Sequence, residues 1–224
     1  MHIALAFILA LLTPIARAAS DLSSDRWEKE IAAFETADRT NSPPPGSVVF
    51  VGSSSIRLWS TLGADFAPIN VVNRGFGGSQ IADATAFVSR IVLPYRPKAV
   101  VFYSGDNDIA SGKSPEIVLR DFKEFVGKIR VTRSDLPIIL LSIKPSPSRW
   151  ALKDQVVTAN KLLREFCEGS KNVQCIDVFT PMLNESGEPK PDLFREDKLH
   201  MNAKGYQIWT SLLKPVLQNV LPKN

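Results

Sequence analysis

Ser47-Val48-Val49-Phe50-Val51 leads straight into Gly52-Ser53-Ser54-Ser55-Ile56-Arg57-Leu58-Trp59. A short apolar run rich in β-branched residues and closed by glycine predicts a strand buried on both faces. The serines behind it predict the start of a helix. Four more such runs follow: Ile69-Asn70-Val71-Val72-Asn73, Ala99-Val100-Val101-Phe102-Tyr103, Pro137-Ile138-Ile139-Leu140-Leu141-Ser142 and Asn172-Val173-Gln174-Cys175-Ile176-Asp177. The segments between them have helical period. Val118, Phe122, Phe125, Val126 and Ile129 form one stripe, behind a Ser114 cap and Pro115 in the first turn. Leu152, Val156, Ala159, Leu163 and Phe166 form a second. Ile208, Trp209, Leu212, Leu213 and Val216 form a third, which Pro215 is expected to kink or shorten. Helices alternating with buried strands predict an α/β fold: a mostly parallel five-stranded sheet with helices on both faces. In such a sheet the chemistry sits at the carboxyl ends of the strands.

The chain has 224 residues, 44% hydrophobic and 22% charged. That balance excludes a disordered chain, a collagen-like fibre and a multi-span membrane protein. The length suits one large domain, or at most two small ones, able to bury roughly 70% of the unfolded surface without metal or staples. Two histidines and two cysteines leave little from which to build a structural zinc cluster. The net charge of +4 is small and no basic stripe is present, which argues against a nucleic-acid partner. There is no internal repeat and no low-complexity tract.

Residues 1–19 read as a signal peptide. Ile3 to Leu12 is unbroken and apolar, and Ala16-Arg17-Ala18-Ala19 supplies the small residues of a cleavage site. The apolar run is shorter than the about 20 residues a stable membrane span needs. The competing reading is a short buried helix or a retained anchor. Export to the periplasm or medium is the expected localisation. Cutting after Ala19 removes Arg17 and His2, leaving His200 as the sole histidine. Residues 20–46 read as a helical lead-in ending in a Pro-rich linker (Asn41-Ser42-Pro43-Pro44-Pro45-Gly46), and 47–224 as the main domain. Export leaves two readings for Cys167 and Cys175: a disulfide, or two small buried thiols.

Four strand-end segments carry chemically capable residues, each with a plainer reading. The serines after Gly52 offer a nucleophile, or cap a helix. Asn73-Arg74-Gly75-Phe76-Gly77-Gly78-Ser79 can cradle a phosphate or present N–H groups to an oxyanion, but it lacks the dinucleotide-binding spacing and a P-loop lysine. Ser104-Gly105-Asp106-Asn107-Asp108 offers an asparagine amide to a developing oxyanion, or is simply a turn. In Asp197-Lys198-Leu199-His200-Met201-Asn202, a carboxylate three residues before a histidine can hold one ring nitrogen and free the other. Asn202 also suits the cap of the last helix.

In that order, Gly52-Ser53-Ser54, Asn73 to Gly78, Gly105-Asp106-Asn107-Asp108 and Asp197-x-x-His200 resemble the four blocks of the SGNH (GDSL-type) hydrolases, over about residues 47–215. The nearest flavour is the secreted platelet-activating-factor-acetylhydrolase-like esterases. The resemblance implies a three-layer α/β/α sandwich of flavodoxin-like type. It also implies Ser54 as nucleophile, His200 as base and then acid, and Asp197 as its orienter. The Gly78 N–H, the Asn107 amide and the Ser54 N–H would form the oxyanion hole. One position departs: Ser53 stands where the family usually has aspartate, and three adjacent serines leave the register open to Ser53 or Ser55.

The implied reaction is hydrolysis of a short-chain acyl or acetyl ester through an acyl-enzyme, with no cofactor and no metal. The expected partner is a small-molecule, glycan or lipid ester met outside the cytoplasm. Arg149, Trp150 and Phe194 are candidates for the substrate pocket, or equally a surface charge and core aromatics. Two rivals remain: a catalytically weak carbohydrate- or lipid-binding domain on the same scaffold, and a phosphate-ester hydrolase using the glycine loop.

Overall fold

The computed structural model describes residues 25–221; the expected signal segment, 1–19, lies outside them. After a 3-10 turn, Asp25–Trp27, the chain runs through α1 (Glu28–Thr40), β1 (Val48–Gly52), α2 (Ser54–Arg57), α3 (Leu62–Phe66) and β2 (Val71–Gly75). Then come α4 (Ile81–Ala86), α5 (Val88–Ile91), β3 (Ala99–Tyr103), α6 (Asp106–Ala110), α7 (Pro115–Arg130) and β4 (Ile138–Leu141). The chain closes with α8 (Lys153–Glu168), β5 (Val173–Ile176) and α9 (Ala203–Val220). All five strands are parallel, in the order β2-β1-β3-β4-β5. This is the doubly wound order of flavodoxin-like sheets, whose topological switch point lies between β1 and β3.

Side chains alternate across each strand, so the sheet divides the core into two layers. Val49 and Val51 of β1 pack with Phe102 of β3, Phe122 and Phe125 of α7 and Leu163 of α8. Val48 and Phe50 face the other way, onto Trp59, Phe66 of α3, and Trp209 and Leu213 of α9. The three central strands are buried along their whole length, as their sequences predict; the edge strands β2 and β5 are partly open.

The Ser114 hydroxyl accepts the Ile117 N–H and caps α7, with Pro115 in its first turn, and Asn202 caps α9 through the Lys204 and Gly205 N–H groups. Pro215 does not shorten α9, which continues five residues beyond it to Val220. Leu213 and Leu217 on either side of the proline are fully buried against the sheet, and that burial outweighs the one backbone hydrogen bond a proline forfeits.

Residues 25–40 pack onto the rest of the fold. Ile31 is fully buried in the layer that contains Val49. Asp38 pairs with Arg74 of β2, and Arg90 of α5 holds both Glu28 and Glu35 at 2.7 Å. Cys167 on α8 and Cys175 on β5 are neighbours, but both are free thiols, so of the two readings the structure has the reduced one.

Candidate active site

β1 leaves the sheet through Gly52, where φ is +149° and a Cβ would sit 1.8 Å from the Tyr103 carbonyl oxygen. Only glycine allows that approach. Ser53 then donates its N–H to that same carbonyl at 3.1 Å, and α2 begins at Ser54. The three serines now separate. Ser53 and Ser55 are buried and their hydroxyls have no hydrogen-bond partner among the described residues. Ser54 is half-buried, and its Oγ lies 3.0 Å from His200 Nε2.

His200 comes from the loop ahead of α9. Its Nδ1 lies 2.6 Å from Asp197 Oδ2, while Asp197 Oδ1 accepts the N–H groups of Leu199 (2.9 Å) and His200 (2.8 Å). Both carboxylate oxygens are therefore engaged as acceptors. Partial burial pushes the Asp197 carboxyl up, but the bonds from the His200 ring and the two backbone N–H groups prevail and hold it at about 2. An ionised Asp197 keeps the proton on Nδ1 and leaves Nε2 as an acceptor facing Ser54.

The glycine loop after β2 is tied to α2. The Asn73 amide donates to the Ile56 carbonyl at 2.7 Å and its Oδ1 accepts the Gly75 N–H at 3.0 Å. Gly78 has φ +77°, a left-handed turn, and the edge of Trp27 lies 3.4 Å from where a Cβ would be. Asn107, in the first turn of α6, donates from Nδ2 to the Ser79 carbonyl at 3.0 Å, joining the β3 and β2 loops. Asp108 is structural. Fully buried, it accepts the Ile81 N–H at the start of α4 and the Lys113 ammonium at 2.9 Å; burial, only partly offset by Lys113, holds its carboxyl above the usual range. Ser54 and Asn107 thus flank the β1/β3 switch point, and His200 closes over it.

The family model for GDSL-like lipases and acylhydrolases matches residues 47–208. The chain belongs to that family. No curated protein sequence matches it. Three solved structures share the fold of this GDSL-type hydrolase. A Streptococcus pneumoniae protein named for platelet activating factor superposes with a TM-score of 0.76 at 19% identity, covering 90% of this chain and 100% of the other. A GDSL-like lipase from Bacteroides thetaiotaomicron gives 0.72 at 21%, covering 88% and 98%. A carbohydrate esterase of family 3 from Talaromyces cellulolyticus gives 0.63 at 16%, covering 78% and 98%.

The three pocket candidates of the hydrolase part company. Arg149, in the 3-10 turn Pro147–Leu152, donates from Nη2 to Asn107 Oδ1 at 2.9 Å, and its Nη1 lies 3.4 Å from Asp106 Oδ2. Trp150, half-buried beside it, stacks on Phe179. Phe194 is a core aromatic: it is buried in the layer beneath α9 and its backbone bridges to Met201. Two contributors escape sequence reasoning. Trp27 lies outside the matched segment yet backs the glycine loop. Lys144, just past β4, is almost wholly buried and lies 2.9 Å from Asp106 Oδ2. The signal for it was a lysine two residues beyond an apolar strand. Burial pushes the Asp106 carboxyl up, but Lys144 and Arg149 prevail and hold it below the usual range.

Proposed function

We propose that this family member is a serine esterase that cleaves acetyl or other short-chain acyl esters through an acyl-enzyme. The observation that carries the reading is the continuous relay from Asp197 through His200 to Ser54, at 2.6 and 3.0 Å. His200 Nε2 takes the Ser54 hydroxyl proton as Oγ attacks the ester carbonyl. The carbonyl oxygen, now an anion, is met by the second Nδ2 hydrogen of Asn107 and the N–H groups of Gly78 and Ser54. The proton passes from His200 to the leaving alcohol, and the carbonyl–oxygen bond breaks. A water then gives its proton to His200 as it attacks the acyl-enzyme carbonyl, and His200 passes that proton to Ser54 Oγ as its bond to the acyl carbon breaks and the acid leaves. The setting we propose is outside the cytoplasm. The apolar Ile3–Leu12 run and the Ala16-Arg17-Ala18-Ala19 stretch support it, and a mature N-terminus at Ser20 in the exported protein would be its direct sign.

A p-nitrophenyl ester series from acetate to palmitate on wild type, Ser54→Ala and His200→Ala tests the chemistry. The expected result is a rate that falls with chain length, and a loss of about 10³-fold or more in either variant. Undiminished turnover by Ser54→Ala would overturn the reading.

A further inference from the structure

An asparagine side chain is nearly symmetric in shape, so an oxyanion donor built from one needs something to choose which end faces the reaction. At Asn107 the two ends have opposite partners. Oδ1 accepts from Arg149 Nη2 at 2.9 Å, and Nδ2 donates to the Ser79 carbonyl at 3.0 Å. Turning the amide over would set NH₂ against a guanidinium and oxygen against a carbonyl, losing both bonds and opposing like with like. The guanidinium also draws density toward Oδ1, which makes the N–H groups better donors.

Arg149 is itself held. Asp106, the residue before Asn107, faces Arg149 Nη1 at 3.4 Å and Lys144 Nζ at 2.9 Å through the same Oδ2. The Asp106 and Lys144 side chains are 8% and 1% exposed, so the guanidinium faces a desolvated charge pair, at ion-pair distance and without a hydrogen bond to it. We propose that Arg149 is the positioning residue of Asn107: anchored by Asp106 and Lys144, it clamps the Asn107 carbonyl and so turns the amide N–H toward the oxyanion. The proposal rests on the serine-esterase reading above and extends it to the strand-four loop, which that relay does not use.

Steady-state kinetics on p-nitrophenyl acetate test it with Arg149→Gln, Arg149→Lys and Asn107→Ala, and with the double variants that carry either Arg149 change in the Asn107→Ala background. Arg149→Gln is expected to lower kcat by about 10- to 100-fold, less than the about 10²–10³-fold for deleting a donor outright, with KM changed by less than about twofold. Arg149→Lys is expected to recover part of the loss, since one ammonium still reaches Asn107 Oδ1 but cannot face Asp106 at the same time. In the Asn107→Ala background either Arg149 change is expected to be nearly silent, within about threefold. An equal fall in both backgrounds, a change confined to KM, or no fall at all overturns the proposal. If Arg149→Gln does not fold, the Arg149→Lys pair makes the same comparison. Ser54→Ala, assayed alongside, separates the two claims. Turnover retained there sinks the esterase reading; turnover lost there with Arg149→Gln fully active sinks the positioning role alone.

Discussion

Ser54 and His200 stand 146 positions apart in the chain, yet His200 Nε2 lies 3.0 Å from Ser54 Oγ. β1 delivers the serine and the loop ahead of α9 delivers the histidine. The third member decides what the contact can do. With Asp197 ionised at Nδ1, Nε2 is free to accept a proton. Asp197→Asn keeps an oxygen for the Leu199 and His200 N–H groups but presents NH₂ to Nδ1, which favours the opposite tautomer. The expected outcome is a kcat lower by about 10⁴-fold with KM nearly unchanged. Ester kinetics check the rate, and nitrogen shifts of the imidazole check the tautomer.

The same carboxylate makes stability depend on pH. Asp197 is held at about 2 in the folded chain, against 3.8 as its ordinary value. A carboxyl lowered by folding stabilises the fold above its unfolded pKa, and that contribution disappears as pH falls through the folded value. The stability difference between wild type and Asp197→Asn should therefore be full above about pH 4 and shrink toward pH 2. Because the side chain is 48% exposed, solvent screening keeps the difference small. Urea midpoints of both proteins across that range measure it.

Asp106→Ala should be among the most damaging changes near the site. Among the described residues it leaves the Lys144 ammonium, 1% exposed, with the Tyr103 hydroxyl at 3.3 Å as its remaining hydrogen-bond partner. Removing one partner of a buried ion pair typically costs about 3–5 kcal/mol. Urea unfolding should report a loss of that order, and Asp106→Ala combined with Lys144→Met should recover much of it.

Trp27 links the lead-in to the site. Its ring meets Phe76 edge-on at 5.6 Å and backs Gly78. Trp27→Ala should lower stability by about 2–3 kcal/mol, below the range for a fully buried tryptophan because the residue is only half-buried. It should also lower esterase turnover by loosening the glycine loop. Trp27→Phe should restore most of both, as read by denaturant midpoint and initial rate.

What could be read in the sequence was local. Val48 to Val51 and Ala99 to Tyr103 are apolar without interruption because both of their faces are covered, so the pattern and the burial agree. The four blocks at the strand ends were legible because glycine, asparagine and the Asp197-x-x-His200 spacing each have a local physical reason. What could not be read depended on partners far along the chain. Ser53, Ser54 and Ser55 are chemically alike, and their burial together with the contact to His200 tells them apart. Arg149 could be read as a pocket residue or equally as a surface charge, and its contacts with Asp106 and Asn107 are tertiary. Phe194 is an ordinary aromatic in sequence, and its place under α9 is set by tertiary packing. Pro215 broke a local rule because Leu213 and Leu217 hold the helix to the sheet. Trp27 lay in a polar stretch with no periodicity strong enough to show that it docks.

The most direct test of the central claim is covalent. Wild-type protein treated with a fluorophosphonate, digested and mapped by mass spectrometry should carry one phosphonyl adduct, on Ser54, and Ser54→Ala should carry none there. An adduct on Ser53 or Ser55, or unlabelled protein that still turns over p-nitrophenyl acetate, would contradict the account.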